Sequence, residues 1–280
     1  MYSRVYVEIT NLCNKNCSFC PKTKRKSGFM SKEQFEIVTS KLKNVTNYVY
    51  LHVMGEPLLH PDVGELVKIA NDNGLKCAIT TNGTLLEKRG AEIIAAGVYK
   101  VNISLHSFQD ADEKAHFEYV SACADFADKA SKSGVLCVFR LWNGGSDFNM
   151  NENTLKILKD RFSEPWVDGK RGARIRDKLH LEYADEFSWP DKSAELLGDR
   201  VFCYGLKDHF GILCDGNVIP CCLDHDGDMT LGNIFEEDIE TILGSKKACA
   251  IRDGFDKKMA AMDLCKRCGY ARRFSKKNGI

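Results

Sequence analysis

The sequence predicts an α/β protein: a partial (β/α)6 TIM-like barrel followed by a small α+β unit. Three observations carry that expectation. Strand-patterned and helix-patterned segments alternate as far as Tyr183, polar residues recur where the strands end, and the rhythm stops near Glu186, before a tail rich in cysteine. Strand-helix repetition with short links implies a parallel sheet, and six units suit a partly closed barrel better than an eight-unit one.

The elements follow in order. Val5 to Ile9 reads as the first strand, and Ser31 to Leu42 as a helix opened by the capping box Ser31-x-x-Gln34. Tyr48 to Val53 returns to strand residues, a helix runs from Pro61 to Asn73, and Lys76 to Thr80 is the third strand. The capping box Thr84-x-x-Glu87 opens the third helix, and Lys100 to Leu105 is the fourth strand. A long helix from about Asp110 to Ser133, a strand Val135 to Trp142, a helix Asn151 to Phe162 and a strand Leu179 to Tyr183 complete the series. Beyond it, Phe210 to Leu213 and Val218 to Pro220 read as a hairpin around Asp215-Gly216-Asn217, and a helix spans about Glu236 to Gly244. The division expected is a barrel over residues 1–190 and a smaller unit over 191–280.

Composition narrows the function classes. With 44% hydrophobic and 28% charged residues among 280, disordered and fibrous classes are excluded. A formal charge of +1 gives no field that would gather nucleic acid or an anionic membrane, and aromatics do not interleave with the basic residues as on a stacking surface. Charges interrupt every apolar run and the mean hydropathy is −0.31, so no spanning helix is expected, and a first strand without a signal-like apolar region points to a cytoplasmic protein. Thirteen cysteines, an odd number, argue against a secreted disulfide framework and for metal.

Two cysteine sets stand out. Cys13-x-x-x-Cys17-x-x-Cys20 falls in the loop after the first strand, where three thiolates can wrap one compact cluster and leave an iron open. A zinc site completed by a distant His or Cys, in a non-catalytic interaction protein, is the competing reading. Cys203, Cys221, Cys265 and Cys268 come from three segments and can close a second metal site, with Cys222, Cys214 or Cys249 as substitutes. Cys77, Cys123 and Cys137 fit strand or helix patterns as small buried residues.

The triplet, with aromatic Phe19 just before its third cysteine, resembles the signature of the radical S-adenosylmethionine (radical SAM) superfamily. Met54-Gly55-Glu56-Pro57 is similar to the family's Gly-Gly-Glu-Pro motif, with Met54 in place of the first glycine, and Thr81-Asn82-Gly83 and Ser104 match positions near the cofactor. Asp215 to Cys222, Leu231 to Ile234 and the terminal Cys-x-x-Cys resemble the family's SPASM/twitch extension.

The resemblance implies a 4Fe-4S cluster on Cys13, Cys17 and Cys20, and S-adenosylmethionine held through Phe19, Gly55, Glu56, Asn82, Ser104 and Arg140. It further implies an auxiliary 4Fe-4S cluster on Cys203, Cys221, Cys265 and Cys268. The chemistry implied is reductive cleavage to a 5′-deoxyadenosyl radical, hydrogen abstraction from a small polar substrate (a sugar, aminocyclitol or amino alcohol) and transfer of an electron to the auxiliary cluster. The alternative is a maturase acting on a ribosomal precursor peptide, disfavoured because no leader-binding module precedes the first strand. Flavodoxin or ferredoxin is the expected reductant, and Lys22-Thr23-Lys24-Arg25-Lys26 is either its docking point or a solvated loop. His52, His106 and Glu182 stand at strand ends, with no catalytic acid or base assigned among them.

Overall fold

The computed structural model describes residues 1–108, 112–146 and 150–274. Its centre is six parallel strands with helices between: β1 (Arg4–Val7), α1 (Lys32–Leu42), β2 (Tyr48–Tyr50), α2 (Val63–Asp72), β3 (Lys76–Thr81), α3 (Leu86–Ala95), β4 (Lys100–Ser104), α4 (Glu113–Lys132), β5 (Leu136–Gly144) and α5 (Asn151–Arg161). The sixth parallel strand is β8 (Leu179–Asp185), reached through the antiparallel pair β6 (Val167–Gly169) and β7 (Gly172–Arg176). The barrel expectation holds in its partial form, since among the described residues the sheet does not close: with β9 (His209–Ile212), β10 (Asn217–Ile219) and β11 (Gly232–Asn233) its order is β11-β10-β9-β1-β2-β3-β4-β5-β8-β7-β6.

Alternation along the strands explains both faces. Val5, Val7, Val49, Ile79, Val101, Ile103 and Phe139 are buried in a core shared with Phe35 and Val38 of α1, Leu66 and Val67 of α2, and Val120 and Ala127 of α4. Their strand neighbours Tyr6, Tyr50, Thr80, Ser104, Arg140 and Trp142 line the inner cavity. Each large aliphatic chain buried on the outer face stabilises the fold by roughly 1.5–3 kcal/mol. Cys77, Cys123 and Cys137 belong to that core, as expected.

Other expectations need correction. The first strand ends at Val7 and not Ile9, and the second helix begins at Val63, past Pro61. The Ser31 capping box forms, with both of its hydrogen bonds. The Thr84 box does not: α3 starts after Leu85 without a side-chain cap, because Thr84 donates its hydroxyl to Asn82 Oδ1 at 2.7 Å. Helix α4 begins at Glu113 behind the Asp112 cap, and Asp110 lies outside the described residues.

The C-terminal hairpin forms from β9 (His209–Ile212) and β10 (Asn217–Ile219), joined by β11 (Gly232–Asn233). Its partner was not anticipated. Strand β9 pairs in parallel with β1 from Arg4↔His209 to Val7↔Ile212, so the tail extends the central sheet. Helices α6 (Ile239–Gly244), α7 (Lys246–Asp256), α8 (Asp263–Lys266) and α9 (Gly269–Arg272) follow. No helix among the described residues is long and apolar enough to cross a membrane.

Candidate active site between two cysteine sets

The loop carrying the triplet is closed at its base by polar contacts. Asn11 donates Nδ2 to the Lys26 carbonyl at 3.0 Å and accepts from Gly28 N at 2.9 Å, while Thr10 Oγ1 donates to the Gly28 carbonyl at 2.9 Å. Within the loop, Cys13, Cys17 and Cys20 all line one cavity of about 960 Å³. The Lys15 N–H points at Cys13 Sγ at 3.4 Å, and Asn82 Nδ2 at 3.8 Å. Burial raises the Cys17 pKa, and Cys20 and Cys13 push in the same direction against Lys22 and Lys15, so the three sulfurs feel one another. Three thiols on one wall with N–H donors aimed at sulfur fit a loop-held iron–sulfur cluster.

Gly55 and Glu56 fix that loop from below. Gly55 has φ +79°, and a Cβ there would lie 2.5 Å from the Thr10 carbonyl and 2.7 Å from that of Leu12. Glu56 N donates to the Leu12 carbonyl at 2.7 Å. The Glu56 carboxylate is buried, and its two oxygens accept from Asn82 N at 2.7 Å and Leu58 N at 3.0 Å. Burial raises its pKa to about 7, against the lowering effect of those N–H groups and the Thr81 hydroxyl. Glu56 therefore ties the loop after β2 to the loop after β3, and Asn82 carries the connection on to Asn14 at 2.9 Å.

Phe19 lies 5.2 Å from the His106 ring, centre to centre, and His106 Nδ1 is 3.0 Å from the Arg140 carbonyl. Ser104 and Arg140 are register partners on β4 and β5, and both line the cavity. The Arg140 guanidinium stacks on Trp142 at 4.5 Å, with Nε 3.4 Å from Glu182 Oε2. All six residues expected to bind the cofactor thus share the cavity with the triplet. His52 and His106 line it too and burial lowers both imidazoles, to about 3 and about 4, whereas Glu182 stands outside the lining.

The second set meets the same cavity. Cys203, Cys221, Cys265 and Cys268 line it, and a Cβ on Gly205 would sit 3.6 Å from Cys203 Sγ and 3.5 Å from Cys221 Cβ. Burial raises the Cys221 thiol, and Cys203, Cys222, Cys265 and Cys268 all raise it further, so these four lie within electrostatic reach of Cys221. Burial likewise lifts Cys203 to about 11. A bound cation would reverse that penalty by favouring the thiolates. Among the described residues no three His, Cys, Asp or Glu side chains gather tightly enough to hold a single metal ion; each sulfur set instead shares a cavity wall.

Of the alternative ligands, Cys214 faces Arg25 Nη1 at 3.9 Å and Cys249 receives Arg252 Nη2 at 3.2 Å, both apart from the set. Cys222 lines the cavity and hydrogen-bonds with the Tyr6 hydroxyl.

Sequence reasoning missed Glu8, an isolated carboxylate just past the end of β1 with no motif around it. It is fully buried and pairs with Arg25 at 2.7 Å, and its oxygens accept from Met54 N at 3.1 Å and Cys214 N at 3.2 Å. Arg25 also donates Nε to the His225 carbonyl at 2.8 Å, and Thr23 Oγ1 donates to Asp226 at 2.7 Å. The basic run is thus not simply solvated: Thr23 and Arg25 staple the cysteine loop to the C-terminal region, leaving Lys24 and Lys26 exposed.

The family model described as "Radical SAM superfamily" matches residues 7–163, and that described as "Iron-sulfur cluster-binding domain" (SPASM) matches 203–269. A GTP 3′,8-cyclase of Chlorobaculum tepidum is 34% identical over 133 residues, 43% of this chain and 39% of the relative. An AdoMet-dependent heme synthase of Oleidesulfovibrio alaskensis is 30% identical over 102 residues, 35% of this chain and 26% of the relative. The matches therefore span well under half of these curated relatives. Among solved structures, BtrN in complex with AdoMet and 2-DOIA aligns with TM-score 0.62 at 20% identity, covering 96% of this chain and 93% of that one. Streptococcus suis SuiB bound to precursor peptide SuiA aligns with TM-score 0.61 at 16% identity, covering 95% and 71%. At such identities the structural likeness establishes the fold.

Proposed function

The chain belongs to the radical SAM superfamily, and from that premise we propose that it is an oxidoreductase acting on a small polar molecule such as a sugar, aminocyclitol or amino alcohol. It is a radical SAM enzyme with an auxiliary iron–sulfur region, and its cofactors are S-adenosylmethionine and iron–sulfur centres. The observation that carries the proposal is the single cavity of about 960 Å³ walled by both cysteine sets. When bound, these cofactors supply the electron that cleaves S-adenosylmethionine, the 5′-deoxyadenosyl radical that removes a substrate hydrogen, and an acceptor for the electron left behind.

The chain's own residues do the rest. Cys13, Cys17 and Cys20 would hold the first cluster, and Cys203, Cys221, Cys265 and Cys268 a second 4Fe-4S cluster with every position filled by protein. Gly55 and Glu56 set the height of the first loop, and of the residues lining the cavity Asn82 and Ser104 would flank S-adenosylmethionine, Phe19 would pack beside it, and Arg140 would receive its carboxylate. Residues 1–190 form the radical unit and 191–280 the auxiliary unit. Exposed Lys24 and Lys26 border the cysteine loop, where an acidic flavodoxin or ferredoxin would deliver electrons.

A peptide-modifying maturase is the second reading, favoured by a cavity margin rich in aromatic rings, with Phe187 5.4 Å from Trp189 and 5.0 Å from Tyr270. Anaerobic incubation with reductant and S-adenosylmethionine separates the two. A loss of two hydrogens from a small polyol or amino alcohol, matched by 5′-deoxyadenosine, supports the first; modification of peptides alone supports the second.

A further inference from the structure

Among the described residues six buried side-chain polar atoms lack a hydrogen-bond partner, and five of these belong to residues that line the cavity: Arg4 Nε, His52 Nδ1, Arg140 Nε, Trp142 Nε1 and His209 Nδ1. Folded proteins seldom leave such groups orphaned, and several on one chamber mark a place where a bound molecule supplies the acceptors. Three of the five residues form one patch. Arg4 on β1 is the register partner of His209 on β9, and the rings of His52 and His209 stand edge-on to Tyr6 at 5.5 and 5.6 Å. Tyr50 completes the patch, 5.4 Å from Tyr6 and beneath the Arg4 guanidinium at 5.9 Å.

The chemistry of the patch is that of a donor surface. Arg4 gives one edge to Asp208, Nη2 to Oδ2 at 2.9 Å, which leaves its Nε directed elsewhere; guanidinium nitrogens only donate. Each imidazole can present an N–H, His52 through an unpartnered Nδ1 and His209 through an Nδ1 that stands 3.6 Å from Asp208 Oδ2, beyond hydrogen-bond distance. Charge points the same way: Arg4, Lys100 and Arg140 are mutually repelling cations of the inner strands, faced by two carboxylates, Asp208 and Glu182. An added oxyanion would balance them. The patch spans β9, β1 and the end of β2, whereas Ser104 and Arg140 stand on β4 and β5.

We propose that Arg4, His52 and His209 form an oxyanion subsite that holds a carboxylate or phosphate group of the substrate. This deepens the reading of the cavity as the substrate chamber of a radical SAM enzyme and rests on it, narrowing the polar substrate to an anionic member of the class, such as a sugar phosphate or a sugar acid. The test is anaerobic calorimetry on the cluster-loaded enzyme with S-adenosylmethionine bound, titrated with inorganic phosphate, malonate and, as the uncharged counterpart, malonamide. Malonate or phosphate should bind at least about tenfold more tightly than malonamide, and whichever is tighter identifies the group. Arg4→Gln and His52→Phe, the latter keeping the ring against Tyr6, should each lose about tenfold or more of that affinity, with iron content and S-adenosylmethionine affinity unchanged. Neither anion binding better than malonamide, or variants that bind both anions as the wild type does, overturns the subsite. A wild type that takes up neither iron nor S-adenosylmethionine would instead overturn the family-level reading beneath it.

Discussion

Gly55 and Glu56 each do one physical job at the site, and each yields a prediction. A left-handed backbone and a Cβ position 2.5 Å from the Thr10 carbonyl leave no room for Gly55→Ala without moving the cysteine loop. That substitution should cost roughly 1–3 kcal/mol in backbone strain alone and lower the iron bound at the triplet, as read by iron analysis. Glu56 is raised to about 7 by burial. A folded-state pKa above the unfolded one stabilises the fold at pH below the unfolded value, and that contribution is lost as pH rises through about 7. Glu56→Gln removes the titration, so the Tm of wild type minus that of the variant should fall between about pH 4.5 and 7 and level off above; a flat difference would contradict the assignment. Gly55 and Glu56 were legible because they sit in a motif after a strand. Glu8 was not, because nothing local separates a buried carboxylate from an exposed one at the end of an alternating strand.

Among elements, the staple between the cysteine loop and the segment after β10 ties the C-terminal region to the first cysteine set. Glu8 and Arg25 are 0% and 13% exposed, so removing one partner strands a buried charge. Arg25→Met should destabilise the protein by about 3–5 kcal/mol, and the double variant with Glu8→Gln by less than the sum, in a denaturant double-mutant cycle. Simple additivity would show that the pair is not coupled. The strand-helix alternation itself could be read from periodicity, down to the Ser31 capping box. The β6–β7 pair could not: Val167-Asp168-Gly169 is short and exposed, with no alternation to mark it. The Thr84 box failed because its hydroxyl is drawn to Asn82, a partner set by the site rather than by helix chemistry.

At the scale of the molecule, the joining of β9 to β1 turns a barrel and a cysteine-rich tail into one sheet and brings both sulfur sets to a common cavity. That pairing links residues about 200 positions apart, beyond the reach of local patterning, although the two cysteine sets that line the cavity could be picked out from the sequence. We propose that the two sets hold two separate clusters with different duties. The most direct test is an anaerobic count of iron and sulfide in the reconstituted protein and in the variant with Cys13, Cys17 and Cys20 all replaced by Ala, with 5′-deoxyadenosine assayed in each. About eight irons falling to about four, with 5′-deoxyadenosine lost, is the result expected. A variant that retains no iron would contradict an independent C-terminal cluster, and zinc in place of iron would contradict the enzyme itself.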